Sequence, residues 1–174
     1  MNACIEELKT RAKIGLKALR AGDRALLERA ARVSGRKPFE PEDWQLRHTL
    51  ALAAQSVGFQ HWDHARTVLG GDAPAGGDMG RFWHAPACGA LLNDWHARYA
   101  QAAAVHRASR GTTLLPYGRQ FVVAGPEYVR ELGIEARIAD AATQGFDAVA
   151  EYGSPRWLAW CDARLRAPAT SWVG

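Results

Sequence analysis

The sequence predicts a predominantly helical α+β fold. An N-terminal helical array is followed by a smaller unit in which helices pack two or three short strands. Three observations support this: apolar residues recur at helical spacing early in the chain, a glycine-rich stretch follows, and β-rich runs then bracket turn residues. We therefore divide the chain into a helical module at 1–70, a glycine-rich linker at 71–79 and a small α+β unit at 80–174.

The first module contains four predicted helices. Asp23 can cap the second helix, and Pro41 suits the first turn of the third, which carries Trp44 and Leu46. The stripes that define the first two helices are formed by Ile5, Leu8, Ala12, Leu16 and Leu19, and then by Leu26, Leu27 and Ala30. Two amphipathic helices therefore precede the third.

A corner between the third and fourth helices is the clearest local signal. Gly58 stands where a helix leaves through a left-handed residue, and Phe59 and Trp62 are predicted to pack into the core. His61 and His64 are three residues apart on the fourth helix, as a pair of metal ligands would be. A surface position for both histidines is the favoured interpretation, because no third ligand lies nearby in sequence.

The second unit alternates strand and helix signals. Turn residues at 116–119 separate two β-rich runs and predict a hairpin, and Ser154 followed by Pro155 predicts a helix start. The predicted elements are a short strand at Gly80–His84, a helix from about Asn93 to Ser109, strands within 112–115 and 120–123, and helices at 126–132, 135–142 and 154–166.

Composition narrows the classes of function. The 174 residues carry a net charge of +4 that is spread along the chain, which is weak support for nucleic-acid binding. Three isolated cysteines form no disulfide framework or thiolate zinc motif. The first twenty residues lack a signal-peptide pattern, and no apolar run is long enough to span a membrane. We therefore expect a protein of the bacterial cytoplasm with no membrane partner.

Part of the chain resembles known proteins. The alanine-rich segment Leu50–Ala54 running into Gly58-Phe59-Gln60-His61-Trp62 is similar to a helical module found beside glyoxalase-related and ankyrin-containing bacterial proteins. The second half resembles a family of small uncharacterised bacterial proteins that carry this module, through Asn93-Asp94-Trp95, Tyr99, Leu114–Tyr117, Arg119–Phe121 and Leu132–Ile134. The resemblance implies an architecture and implies no activity. The chain departs from these relatives at Glu135-Ala136-Arg137 and in its glycine-rich linker.

A polar turn is the leading candidate for a binding site. Tyr117, Arg119 and Gln120 combine a phenol, a guanidinium and an amide that could bind a carboxylate or phosphate. The groove is predicted where this turn meets a helix bearing Trp95 and Tyr99. In the alternative interpretation Tyr117 packs and Arg119 pairs with a local acid.

A second candidate set has metal or thiol chemistry. His84, Cys88, Asp94 and His96 offer nitrogen, sulfur and oxygen ligands for zinc or iron. Cys88 with either histidine could also act as a nucleophile and its base. The alternative is that Cys88 is a small buried side chain.

Seven tryptophans invite a cofactor or carbohydrate hypothesis, but helical spacing favours core roles for five of them. These five are Trp44, Trp62, Trp95, Trp157 and Trp160. Trp83 and Trp172 have no role assigned by spacing, and Trp172 belongs either to a docked tail or to a disordered one.

The favoured function is non-enzymatic binding of a small molecule or a protein partner. A small metal- or thiol-dependent enzyme is the first alternative. The second is nucleic-acid binding through Arg29, Arg32 and Arg36 on the basic N-terminal helices, which we disfavour. The sequence specifies no cofactor and no oligomeric state.

Overall fold

A computed structural model describes residues 2–34, 40–135, 137–138, 145–168 and 172. It confirms a predominantly helical α+β fold in which helices pack a small antiparallel sheet of three strands. The described helices are α1 (Ala3–Arg20), α2 (Arg24–Ser34), α3 (Leu46–Ser56), α4 (Trp62–Gly70), α5 (Tyr99–Ala108), α6 (Pro126–Glu131) and α7 (Pro155–Leu165). The strands are β1 (Asp94–His96), β2 (Thr113–Tyr117) and β3 (Gln120–Ala124).

Side-chain caps start several helices as the sequence predicts. The Asp23 carboxylate accepts from the Leu26 backbone N–H at 3.0 Å, and the Ser154 hydroxyl accepts from that of Trp157 at 3.1 Å. Pro41 instead starts a separate 3-10 turn at Pro41–Asp43, and α3 begins only at Leu46. Trp44 is therefore outside α3, although its side chain is buried as predicted.

The Gly58 corner ties the helical half to the second half. Gly58 has a φ of +90°, and a Cβ placed on it would lie 2.7 Å from the backbone carbon of Arg81. The Arg81 N–H donates to the Gly58 carbonyl at 2.8 Å, and Phe59 stacks on Phe82 with ring centroids 5.4 Å apart. Only glycine fits this close backbone approach.

The sheet has the order β1-β3-β2, with Trp95 opposite Val122 and Tyr117 opposite Gln120. Residues alternate between its two faces. The face containing Val123 and Leu114 packs on α5, whereas the face containing Val122 joins the main core.

Residues from both halves of the chain form that main core. Cys4 and Leu8 of α1 are buried in one cluster with Phe82, Trp157 and Trp160. Residues 70–78 also make tertiary contacts, and the Ala73 N–H donates to the Tyr152 hydroxyl at 3.0 Å. The linker predicted at 71–79 stays a prediction. Residues on both sides of it share one core.

Two predicted elements are wrong. Gly80–His84 is a series of turns, in which Gly80 has a φ of +68° and accepts from the Gly118 N–H. The predicted helix from about Asn93 begins only at Tyr99, because Asp94–His96 pairs with β3. Trp95 and Tyr99 are four residues apart, as on one face of a helix, but Trp95 belongs to β1 and Tyr99 is the first residue of α5. The helix predicted at 135–142 lies largely outside the described residues.

Candidate functional site

Tyr117 is the centre of a polar and aromatic cluster at the end of β2. Its ring meets those of His84 and Trp95 edge to face, with centroids 5.1 and 5.3 Å away. The guanidinium carbon of Arg81 lies 5.8 Å from the centre of the same ring. Such contacts fix aromatic side chains through the ring quadrupole. The predicted contact between the Tyr117 turn and Trp95 therefore exists, although Trp95 lies on a strand.

Apolar side chains along β1 are unusually open to solvent. Trp95 is 44% exposed and Leu92 is fully exposed. Both lie in or just before β1, which is an edge of the sheet. The predicted core role of Trp95 is wrong, because β1 is an edge strand and leaves the indole over Tyr117 at the open margin of the sheet. We call Arg81, Trp95, Tyr117 and Arg119 the sheet-edge surface.

Arg119 and Gln120 lie in the hairpin turn and are exposed. Within the described part of the chain, Arg119 has no ion pair or hydrogen bond. The predicted alternative of a local acid partner for Arg119 thus finds no support among those residues. Gln120 shares a sheet face with Tyr117, its direct neighbour across the hairpin.

Tyr99 is separated from the other members of the predicted set. Its ring packs near Phe121 on the α5 face of the sheet, and its hydroxyl donates to Asp147 at 2.9 Å. Burial, followed by the Asp147 interaction, raises the pKa of Tyr99. The predicted groove between the Tyr117 turn and Tyr99 is wrong, because the sheet stands between them.

A buried network supports His84 beneath Tyr117. The Tyr128 hydroxyl donates to the Trp83 carbonyl at 3.0 Å and lies 3.0 Å from His84 Nδ1. Because that hydroxyl has one proton, His84 Nδ1 must carry the hydrogen and Nε2 is left as an acceptor. Burial, and then the charges of Arg81 and Arg164, lower the pKa of His84. The imidazole is therefore held neutral at pH 7.

The four predicted metal ligands do not converge. Cys88 points its thiol at the Tyr128 carbonyl, whereas Asp94 and His96 lie on the α5 face of β1. Among the residues that the structure describes, no group of three or more His, Cys, Asp and Glu side chains is arranged to hold a metal ion.

His61 and His64 have structural roles. His61 is exposed and caps α4 by accepting from the His64 N–H at 3.1 Å. The ring of His64 is half-buried and accepts from the Gln60 N–H, and its Nε2 lies 2.8 Å from the Asp78 carbonyl. The predicted surface position therefore holds for His61 and only partly for His64.

Thiol chemistry at Cys88 is disfavoured by its surroundings. The side chain is buried, and that burial raises the pKa of its thiol, so the nucleophilic thiolate is suppressed. The thiol whose pKa is lowered is Cys4, chiefly through a hydrogen bond with Cys161. Cys4 is itself 1% exposed, so it is also poorly placed to meet a substrate.

Sequence reasoning missed the buried guanidinium of Arg164. It donates to the carbonyls of Phe82, His84 and Leu132, and its carbon lies 3.5 Å from the centre of the Trp172 ring. Burial lowers the pKa of Arg164 to about 9, which still leaves it cationic at pH 7. The sequence does indicate this burial, because Arg164 follows Trp160 by four residues and therefore lies on the same buried face of α7.

A second feature missed from sequence is an open cavity of about 970 Å³ between α1, α2, α3 and the segment after α7. We call it the helical groove. Its described lining combines apolar residues with three arginines and contains no Asp or Glu. Among the lining residues are the three arginines and three large apolar side chains, which are Arg11, Arg29, Arg32, Leu26, Leu52 and Trp172. Arg36, the third arginine of the predicted nucleic-acid site, lies outside the described residues.

Comparisons with protein-family models, with curated proteins and with solved structures found no match to this chain. The resemblance to the Gly-Phe-x-x-Trp module and to the small bacterial family therefore stays a prediction. No helix within the described residues has the length and apolar character needed to cross a bilayer.

Proposed function

We propose that this chain is a non-enzymatic interaction protein of the bacterial cytoplasm that binds a partner polypeptide through the sheet-edge surface. The partner segment is extended, carries acidic and apolar side chains, and pairs with the outer edge of β1. The observation that carries this proposal is the exposure of Trp95, an indole held edge-on by Tyr117 yet 44% open to solvent. A preordered aromatic side chain loses little conformational entropy on binding.

Charge favours an acidic partner. Arg81 and Arg119 flank Tyr117, and Arg119 has no partner among the described residues. The Asp78 carboxylate lies close to the hairpin turn but already accepts two hydrogen bonds, and alternation places Asp94 of β1 on the opposite face. Tryptophan and arginine are also the residue types that most often dominate protein interfaces. A β-edge supplies the main-chain donors and acceptors that an added strand requires.

The enzyme alternative has weaker support. Cys88 is buried with a raised pKa, and His84 is committed to Tyr128. The four proposed metal ligands lie on different faces of the sheet and its loops. Nucleic-acid binding also has weaker support, because three exposed arginines on α2 provide few of the phosphate contacts that such proteins use.

A random peptide library displayed on phage tests the proposal. Selection on the wild-type chain should enrich peptides in which acidic and apolar residues alternate. Trp95→Ala should then weaken binding of a labelled selected peptide by roughly 30-fold, or about 2 kcal/mol, because it removes the central anchor. Fluorescence anisotropy gives the dissociation constants.

Ile14→Ala is the control, because Ile14 is an apolar residue on α1 that is even more exposed than Trp95. Its peptide affinity should equal that of the wild type. The proposal fails if Trp95→Ala and Ile14→Ala bind alike, or if basic peptides are enriched as readily as acidic ones.

A further inference from the structure

A second binding site, on the other half of the molecule, follows from the helical groove. We propose that this groove binds a single-chain amphiphile with an anionic head, such as a long-chain carboxylate. The site is independent of the sheet-edge surface and of the function proposed for it. Three features carry the inference: the volume, the apolar floor and the uncompensated positive charge at the rim.

The groove has the size of a ligand site. Its volume of about 970 Å³ lies at the upper end of the roughly 300–1,000 Å³ that small-molecule sites occupy. It is open to solvent and is lined by residues of α1, α2 and α3.

The floor of the groove is apolar. Leu19 and Ala30 are fully buried there, and the half-buried Leu26 and Leu52 pack against them. Trp172 closes one end, where its ring is fixed by the Arg164 guanidinium and by Phe82 at 5.6 Å. An alkyl chain would cover the parts of Leu26, Leu52 and Trp172 that are still open to solvent, and each buried methylene would contribute to affinity.

The rim selects an anion. Arg29 and Arg32 are exposed, are one turn apart on α2, and have no ion pair or hydrogen bond with any described residue. Arg11 is already engaged, by Glu7 at 2.9 Å and by the Leu165 carbonyl. Two free guanidiniums above an apolar trough match one anionic head.

The neutral polar side chains of the groove lining already use their hydrogen-bond donors within the protein. The hydroxyls of Thr49 and Ser56 donate to carbonyls of their own helix, and the Gln55 amide donates to the Gln60 carbonyl. A ligand without charge would find its polar end poorly satisfied. A nucleic acid would leave the apolar floor unused.

Titration calorimetry with dodecanoate, below its critical micelle concentration, tests the proposal directly. We expect one site per chain, with octanoate at least on the order of tenfold weaker because four methylenes are missing. Dodecyltrimethylammonium has the same chain with a cationic head, and it should bind at least tenfold more weakly than dodecanoate.

Charge removal at the rim gives the decisive variant. The double substitution Arg29→Ala/Arg32→Ala should weaken dodecanoate about tenfold or more, since both head-group contacts are lost. Both residues are exposed, so folding is preserved and circular dichroism can verify it. Arg24→Ala, at an exposed position of α2 outside the groove lining, is the matched control and should bind like the wild type.

Trp172→Phe locates the ligand. Dodecanoate should change the tryptophan emission of the wild type, and this variant should lose most of the change. Equal binding of the anionic and cationic amphiphiles, or unchanged affinity in the double variant, would overturn the proposal. So would a single-stranded oligonucleotide that binds through Arg29 and Arg32 while dodecanoate does not.

Discussion

The sheet-edge surface and the helical groove place exposed arginines beside apolar side chains in opposite geometries. At the sheet edge, Trp95 projects from a strand and Tyr117 holds it from one side. In the groove, apolar residues recede between helices and Arg29 and Arg32 stand above them. A projecting aromatic suits a partner that can wrap around it, whereas a recessed trough suits a ligand that can enter it. The two proposals therefore assign similar residue types to two kinds of recognition.

One buried residue, Arg164, contacts residues next to both regions. Arg164 donates to the carbonyl of His84, which contacts Tyr117, and its guanidinium lies against Trp172 at the end of the groove. A change at Arg164 therefore tests how far the two regions share support, and it should give the largest effect on stability.

Arg164→Ala should lower the free energy of unfolding by about 4 kcal/mol, because it leaves buried carbonyls without donors. Urea unfolding followed by circular dichroism measures this loss. Arg166→Ala, two residues later, removes an exposed ion pair with Asp162 and should leave the free energy of unfolding nearly unchanged. Similar losses in the two variants would show that Arg164 does not support the core as described.

The Gly58 corner joins the helices that line the groove to the loop that carries Arg81. Gly58→Ala should cost about 3 kcal/mol, because it combines a positive φ with a Cβ 2.7 Å from backbone. Gly76→Ala separates the effect of the positive φ from that of the close approach, since Gly76 has a φ of +73° and nothing lies within 4 Å of a Cβ placed on it. It should cost only about 1 kcal/mol. Thermal unfolding of both variants measures the difference, and equal losses would remove the close-approach argument.

Local signals predicted much of this fold. The hairpin around Gly118 and the Ser154 cap depend on a few consecutive residues, and both have the expected geometry. Trp95 was misplaced because a tryptophan and a tyrosine four residues apart satisfy a helical stripe. Main-chain pairing with β3 outweighed that pattern, and no local feature reports such pairing.

The two proposed binding regions were less predictable than the fold. Tyr117 and Trp95 were expected to meet and do, but the sheet that excludes Tyr99 is a product of strand register. The helical groove depends on how α2 sits against α1 and α3, which no stripe of apolar residues specifies. In the sequence Arg29 and Arg32 are part of a basic run that suggests only nucleic-acid binding, because their neighbours across the groove come from distant segments.

The two regions differ in their titratable groups, and a substitution at His84 should give the smallest of the predicted changes in stability. The described lining of the groove has no His, Asp or Glu, whereas His84 lies under Tyr117 beside Arg81, Arg164 and Tyr128. The pKa of His84 is lowered in the folded chain, so below the ordinary histidine pKa of about 6.5 the unfolded chain binds more protons. Stability contributed by neutral His84 is therefore present above that pKa and is lost as pH falls through it.

His84→Gln keeps an amide N–H that can donate to the Tyr128 hydroxyl and removes the titrating group. We expect a small loss of stability at pH 7, of about 1 kcal/mol, and a smaller further loss between pH 7 and pH 5 than in the wild type. Urea unfolding at both pH values gives the two differences. Parallel pH profiles in the two proteins would contradict the assignment, since they would place the acid sensitivity elsewhere. A shallower profile in the variant, with dodecanoate affinity at pH 7 unchanged, would confine the titrating support to the sheet-edge surface.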